Sequence, residues 1–172
     1  MQLNLFGKLV QTHWNDLPHH YPNVKLDAFV IMPNHAHGII ILTEIDMVGA
    51  GLTPAPTIIK RHGLPEIVRA LKTFSARRIN ELRNIKGISL WQRNYYDHII
   101  RNEKSLNIIR RYILYNPVMW AYDMDNPDRP CLSIEKVKYE MKQKYGFTNE
   151  ELDFIIDYET KYRVGRQMDV RT

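Results

Sequence analysis

The sequence predicts an α+β protein with an antiparallel β-hairpin, helices around it and a helical tail. Three observations predict this class: two strand-like runs on either side of a Pro-Asn turn signal, helix-spaced apolar residues flanking them, and helix start and stop residues in the C-terminal part. A chain of 172 residues suits one ordinary core with an appendage. We therefore predict a domain over residues 1–120 and an appended tail over residues 121–172.

The first helix and the hairpin follow from local patterns. Apolar residues recur at helical spacing from Leu5 to Leu17, and Pro18 and Pro22 are expected to end this helix. The β-branched and aromatic run from Val24 to Met32 predicts a strand. After the turn signal at Pro33, the run HAHGIIILTE predicts the second strand of a hairpin.

Four further segments complete the predicted domain. The stretch from Asp46 to Pro56, rich in glycine and proline, is expected to be a surface loop. Helix-spaced apolar residues from Leu64 to Leu82 predict a long helix, and the aromatic run from Ile88 to Ile100 predicts a third strand. The stretch from Ser105 to Asn116 has a helical pattern, which Pro117 is expected to close because the residue before a proline disfavours helix.

The tail is predicted to form two helices between Ser133 and Tyr162. Gly146 separates them, since glycine readily adopts the left-handed backbone that ends a helix. Thr148 then stands where an N-cap residue would begin the second helix. From Ala121 onward the chain has nine basic and eleven acidic side chains, so the tail is slightly acidic.

The composition excludes some classes of protein. No apolar run approaches the roughly 18 residues of a membrane span, and the first residues lack the pattern of a secretion signal. The single cysteine, Cys131, can form neither an internal disulfide nor a thiolate metal cluster. We therefore expect a cytoplasmic protein without a membrane partner.

The positive charge is concentrated in the middle of the chain. The formal net charge is +5 and the isoelectric point is about 9.3, values compatible with an anionic partner. The segment from Lys60 to Lys86 alone has eight basic residues against Glu66 and Glu81. Such clustering is what a phosphate-binding surface requires.

Two histidines near the start of the second predicted strand could share a metal ion. His35 and His37 are two residues apart, so both imidazoles project from the same face of a strand. With no cysteine nearby the site would have only nitrogen and oxygen ligands, a set that suits Mg, Mn or Zn. A His-x-His pair is more often structural, however, because a metal site also needs a third ligand.

A tyrosine and an asparagine on the predicted helix from Ser105 to Asn116 could supply the rest of such a site. Tyr112 and Asn116 are four residues apart, so they lie on one helix face. A phenol with a pKa of about 10 is a poor nucleophile near neutral pH unless its target is polarised, and an amide oxygen could complete a metal shell. The alternative is that Tyr112 is a half-buried aromatic residue and Asn116 a helix-terminal residue.

The joint pattern resembles a known family. The segments VIMPNHAHGIII and WQRNYYDHIIRNEKSLNIIRRYILYNP are similar to those of single-tyrosine HUH transposases, especially the REP-associated tyrosine transposases. The resemblance extends from about Leu5 to Trp120. It implies a ferredoxin-like (RRM-like) palm, an antiparallel sheet with helices on one face, as the catalytic domain.

The resemblance also implies an activity and roles for individual residues. It implies that His35 and His37 bind a divalent metal, Mg or Mn, that Asn116 is the third ligand, and that Tyr112 is the nucleophile. The family's tyrosine attacks a phosphate of single-stranded or hairpin DNA, which leaves a 5′-phosphotyrosine link and a free 3′-hydroxyl. The expected function is therefore DNA nicking and strand transfer during transposition, by a monomer or a homodimer.

The sequence departs from the family at its beginning. The family's palm starts with a strand before the first helix, whereas this chain starts almost directly with the helix, so that strand is expected to be missing. A late start of the sequence, a partner that completes the sheet, or a decayed copy would each explain the difference. The alternative function is thus a non-catalytic or decayed DNA-binding protein, and the role of the tail is open.

Basic and aromatic residues outside the chemistry are expected to contact DNA, by binding phosphates or stacking on bases. Tryptophan and tyrosine at such positions can equally belong to the core, and arginines on a helix often form only a solvated face. The predicted DNA-binding residues are Arg69, Lys72, Arg77, Arg78, Trp91, Arg93, Tyr95, Arg101 and Arg111.

Overall fold

The computed structural model describes residues 2–44, 62–123 and 125–168. It describes their side chains as far as residue 160, except at residue 159. The predicted loop from Asp46 to Pro56, together with Lys60 and Arg61, lies outside the described residues. The elements in chain order are α1 (Leu5–Asn15), α2 (Leu17–His20), β1 (Val24–Ile31), β2 (Ala36–Leu42), α3 (Leu64–Leu82), α4 (Glu103–Met119), α5 (Ile134–Tyr145) and α6 (Asn149–Met168). The predicted α+β class, the hairpin and the helical tail are therefore confirmed.

The chain divides into two compact units. The first comprises Met1–Asp27 and Gly38–Trp91, and the second comprises Ala28–His37 and Gln92–Thr172. The predicted boundary near residue 120 falls within the second unit. No helix in the described part of the chain has the length and apolar character needed to cross a membrane.

Helices α1 and α3 pack together to form the first unit. Their buried side chains include Val10 and Trp14 of α1 and Ile67 and Ile79 of α3. The N-cap of α1 is Asn4, whose side chain accepts a hydrogen bond of 2.8 Å from the amide of Gly7. The amphipathic pattern of the two helices thus predicted these four core residues, but Leu5, Phe74 and Leu82, which follow the same spacing, are exposed.

Of the two prolines predicted to end the first helix, Pro18 does not end helical structure, whereas α2 does end before Pro22, at His20. Helix α1 ends at Asn15, and Pro18 lies in the first turn of the short helix α2. Proline is well tolerated there because the first amides of a helix have no partner within the helix, so the missing N–H removes no bond.

Helix α3 also buries two polar side chains that hold the segment following it. The hydroxyl of Ser75 accepts a hydrogen bond of 3.0 Å from the indole nitrogen of Trp91. The side-chain amide of Asn80 donates a bond of 2.7 Å to the carbonyl of Ile88. Trp91 is half-buried. Its hydrogen bond to Ser75 is a structural contact, in addition to its predicted contact with DNA.

The prediction of a third strand from Ile88 to Ile100 is wrong. Across the described ranges, the sheet contains only β1 and β2, and residues 88–100 form bends and irregular backbone. A strand requires a neighbouring strand to satisfy its amides and carbonyls, and in the described part of the chain these residues form no sheet ladder with β1 or β2. A β-branched and aromatic composition favours a strand, but it does not provide the neighbouring strand that a sheet requires.

In the second unit, helix α4 is longer than predicted at both ends. It begins at Glu103, where the side chain of Asn102 accepts a bond of 2.8 Å from the amide of Ser105. It also continues through Pro117 to Met119 and into a short 3₁₀ turn over Trp120–Tyr122, so the prediction that Pro117 closes it is wrong. A proline near the end of a helix removes a single backbone bond, and the following turn still forms.

The two predicted helices of the tail are confirmed. Helix α5 ends at Tyr145 and is capped by Gly146, whose φ of 64° is the left-handed conformation that glycine adopts readily. Thr148 and Glu151 then form a capping box: the amide of Thr148 donates to the Glu151 carboxylate at 2.7 Å, and the amide of Glu151 donates to the Thr148 hydroxyl at 3.2 Å.

Candidate active site

The hairpin brings His35 and His37 together. His37 lies in β2 and His35 immediately before it, because a turn of four residues separates the two strands. The ring centroids are 4.7 Å apart and the ring planes meet at 81°. The two imidazoles are therefore near enough to serve as ligands of a single ion.

Helix α4 places Tyr112 against His37. The phenol oxygen of Tyr112 lies 3.3 Å from Nε2 of His37, and the ring centroids are 5.2 Å apart. The side chain of Tyr112 is buried, with 4% of its surface exposed. A hydrogen bond of 3.3 Å is long, so it orients the phenol oxygen without fixing it firmly.

The environment of His37 keeps its imidazole neutral. Burial, and secondarily the charge of neighbouring His35, lower the pKa of His37 from 6.5 to about 3. His37 is half-buried, and its ring lies against the rings of His35 and Tyr112. A neutral imidazole is the form that binds metal ions, because a protonated ring has no lone pair to donate.

Asn116 lies one helical turn after Tyr112 and is equally buried, with 4% exposed. The two imidazoles and this amide oxygen are the predicted metal ligands, and all three side chains belong to the second unit. In the described ranges no three side chains from His, Cys, Asp and Glu form such a group. A metal at the histidine pair would need a further ligand, and Asn116 is the one that the family resemblance implies.

Sequence reasoning missed Asn34, which orients His35. Its side-chain oxygen lies 2.5 Å from Nδ1 of His35, and its side-chain nitrogen donates to the Asp125 carboxylate at 3.0 Å. This contact makes Nε2 the nitrogen through which His35 would bind a metal. The adjacency of Asn34 to His35 is the only signal in the sequence that could have indicated it.

Sequence reasoning also missed Tyr158 of the tail. Its ring makes an edge contact with the ring of Tyr112, at 5.7 Å between centroids. It makes similar contacts with Tyr96 at 5.7 Å and His98 at 5.8 Å. No local pattern could have indicated this, since Tyr158 is distant in sequence from all three.

The predicted DNA-binding residues of α3 belong to the first unit. Arg69, Arg77 and Arg78 are exposed, and Arg78 forms an ion pair with Glu81 at 3.0 Å. Lys72 is half-buried, and burial lowers the pKa of its ammonium group. The exposed arginines form a basic surface on this helix, while their contact with DNA stays a prediction.

Three predicted DNA-binding residues of the second unit differ in how far they are exposed. Arg93 and Arg101 are exposed. Tyr95 is half-buried, and burial, with the nearby Asp97 carboxylate, raises the pKa of its phenol.

Arg111 is engaged by the tail. Its guanidinium forms an ion pair with Glu151 at 2.7 Å and donates to the carbonyls of Tyr145 at 2.6 Å and Gly146 at 3.0 Å. It also stacks over the ring of Phe147 at 4.3 Å. These contacts give Arg111 a structural role, while its contact with DNA stays a prediction.

Comparisons with known proteins identify two relatives. No protein-family profile and no solved structure matches the chain. A putative REP-associated tyrosine transposase of Haemophilus influenzae is 28% identical over 117 residues, which are 68% of this chain and 62% of that protein, less than two thirds of its length. A Haemophilus influenzae protein described only as uncharacterized is 42% identical over 135 residues, which are 72% of this chain and 71% of that protein. The chain therefore belongs to the family of this second protein and is more distantly similar to a transposase.

Proposed function

We propose that this protein cuts and rejoins single-stranded DNA through a covalent bond between DNA and Tyr112. The observation that carries the proposal is the position of the buried Tyr112 hydroxyl, 3.3 Å from Nε2 of His37, whose ring contacts that of His35. A tyrosine beside two metal-binding side chains is the arrangement that phosphodiester cleavage by a phenol requires. The similarity to a putative tyrosine transposase supports the same chemistry.

The proposed reaction conserves the number of phosphodiester bonds. The phenol oxygen of Tyr112 forms a bond to the scissile phosphorus, the bond from phosphorus to the 3′ oxygen breaks, and the departing 3′ oxygen takes up a proton as the phenol loses one. The product is a 5′-phosphotyrosine and a free 3′-hydroxyl. Attack by another 3′-hydroxyl reverses the step and releases Tyr112, so strand transfer needs no external energy source.

His35, His37 and Asn116 would hold a divalent metal, Mg or Mn, in this proposal. When bound, the metal would polarise the phosphate and stabilise the charge that develops on it. His37 contributes by remaining unprotonated at neutral pH, and Asn34 contributes by holding His35 through Nδ1. Helix α4 contributes by keeping Tyr112 and Asn116 on one buried face.

The test is covalent capture of DNA by the full chain. A hairpin oligonucleotide labelled at its 3′ end is incubated with the protein and Mn²⁺, because a 5′-phosphotyrosine would retain the 3′ fragment. We expect labelled protein on a denaturing gel, and we expect none with Tyr112→Phe. Tyr115→Phe is the matched control, since Tyr115 lies on the same helix but contacts Tyr145 and Phe147 of the tail.

A second candidate function is DNA binding without catalysis. The irregular backbone over residues 88–100 favours it, because the sheet that would support a catalytic palm has two strands in the described part of the chain. This candidate predicts hairpin binding that survives Tyr112→Phe and a metal chelator. Folded protein that binds a panel of hairpins with Mn²⁺ present, yet never becomes labelled, would exclude the nuclease in favour of this candidate.

A further inference from the structure

The tail helix α6 contributes a residue to the site on α4. We propose that Tyr158 is a positioning residue, which holds the ring of Tyr112 in the orientation that attack on phosphorus requires. This inference rests on the proposed function. It assigns a role in the reaction to the tail, which lies outside the part of the chain that resembles the transposase family.

The first evidence is the set of ring contacts around Tyr158. The ring of Tyr112 has His37 as one neighbour, at 5.2 Å between centroids, and Tyr158 as another, at 5.7 Å and an interplanar angle of 64°. Tyr158 in turn contacts Tyr96 and His98, which belong to the irregular segment before α4. Tyr158 is therefore the common contact of three aromatic side chains from two other segments of the second unit.

The second evidence is that α6 is firmly attached where it carries Tyr158. Leu152 and Ile155 of α6 are buried, with 3% and 2% of their surfaces exposed. Arg111, the neighbour of Tyr112 in α4, binds Glu151 at the start of α6. Tyr158 therefore lies about one helical turn after a part of α6 that is held by buried packing and by an ion pair.

Such a contact matters because a phenol must be aligned with the bond that it breaks. The ring of tyrosine turns about two side-chain bonds, and the hydrogen bond of 3.3 Å to His37 restrains only its oxygen. A misplacement of about 1 Å can slow a reaction roughly 100-fold. A second ring that restricts the motion of the first would prevent this loss.

The experiment compares point variants of the full chain. We measure the single-turnover rate of adduct formation, the affinity for the hairpin and the midpoint of thermal unfolding. Tyr158→Ala should slow adduct formation on the order of 10 to 100-fold while hairpin affinity changes less than about twofold, because only alignment is lost. Tyr158→Phe should restore the rate to within about threefold, since the ring makes the contact. The matched control is Tyr139→Ala, at a tail tyrosine that is 63% exposed, and it should react like the wild type.

A structural readout accompanies the kinetics. In protein labelled with ¹³C-tyrosine, the resonance of Tyr112, identified by its loss in Tyr112→Phe, should shift in Tyr158→Ala and stay in place in Tyr139→Ala. If Tyr158→Ala does not fold, Tyr158→Leu, which keeps most of the volume, replaces it, and rescue by Tyr158→Phe remains the criterion.

The outcomes separate this inference from the proposed function. A wild-type protein that forms no adduct overturns both. A wild-type protein that forms the adduct, with an unchanged or higher rate in Tyr158→Ala, overturns the inference alone, since the tail then does not support the nucleophile. A fall in hairpin affinity that accounts for the whole loss of rate also overturns it, because Tyr158 would then contact DNA.

Discussion

Helices α3 and α4 are of similar length and both bury polar side chains, but with different partners. In α3, Ser75 and Asn80 bind the indole of Trp91 and the carbonyl of Ile88, groups that have no chemistry of their own. In α4, Tyr112 lies against His37, a titratable side chain. The buried polar residues of α3 therefore hold the fold together, whereas Tyr112 of α4 lies in the candidate active site.

The largest effect is expected when the amide oxygen of Asn116 is removed. Replacing it by leucine in Asn116→Leu keeps the volume of the side chain and removes the amide oxygen. We expect Mn²⁺ affinity, measured by calorimetry, to fall about 10 to 100-fold, a typical effect of losing a group that supports a metal site. Asn107→Ala, at an exposed amide of the same helix, should leave it unchanged. Undiminished Mn²⁺ binding in Asn116→Leu would mean that Asn116 has only a structural role, as Ser75 and Asn80 have in α3.

The next effect concerns the dependence of stability on pH. The folded protein holds His37 neutral down to a pH of about 3, whereas the unfolded chain binds its proton near pH 6.5. The free energy of unfolding must therefore fall as the pH drops below 6.5, and this fall ends near pH 3.

Between pH 7 and pH 5, in urea titrations, the wild type should lose about 2 kcal/mol more than His37→Gln. His20→Gln, at an exposed histidine, is the control. Equal losses in the wild type and in His37→Gln would mean that the imidazole is not buried in solution.

A smaller effect is expected at the structural residues of α3. Ser75→Ala leaves the indole nitrogen of Trp91 without its hydroxyl partner, so the free energy of unfolding should decrease by about 1 to 2 kcal/mol. The rate of adduct formation should be unchanged at a temperature where the variant is folded. Thr73→Ala, at an exposed position of the same helix, is the control. A variant that is fully stable but slow to react would contradict the division between the two helices.

The smallest effect on stability is expected at the surface of α3. Arg78→Ala removes an exposed ion pair with Glu81, a change of at most about 0.5 kcal/mol. If this surface binds phosphates, the slope of the logarithm of hairpin affinity against the logarithm of salt concentration should decrease by about 1. The measurement is a salt titration of hairpin binding by fluorescence anisotropy. An unchanged slope would show that Arg78 belongs to a solvated face only.

Much of the fold could be predicted because it depends on local pattern. The spacing of apolar residues predicted α1 and α3, and the Pro33 turn signal predicted the hairpin. Gly146 and Thr148 predicted the boundary between the tail helices, since a left-handed glycine and a capping threonine act on the residues next to them.

Two predictions of secondary structure around α4 were wrong. One segment depends on residues that are distant in sequence, and the other involves the loss of only one backbone hydrogen bond. The run from Ile88 to Ile100 has the composition of a strand, but strand formation depends on a neighbour that its own residues do not encode. Pro117 removes one bond close to the end of α4, and this loss is too small to stop the helix.

The candidate site could be predicted only in part for the same reason. His35 and His37, and likewise Tyr112 and Asn116, are paired by strand and helix periodicity, so each pair could be predicted from spacing. The contact between the two pairs joins residues 75 positions apart, and it was expected only from the family resemblance. Asn34 and Tyr158 came from the structure alone, because their roles depend on how side chains meet in space.

The carboxylate of Glu151 has a consequence for how this unit unfolds. The same group accepts the hydrogen bonds that begin α6 and forms the ion pair with Arg111 of α4. Burial alone would raise the pKa of Glu151, but the bonds from Thr148 and Arg111 lower it, so the charge is held in place. Unwinding the first turn of α6 would release Arg111 as well, and α4 and α6 should therefore open as a single foldon, with their amides exchanging in the same cooperative event.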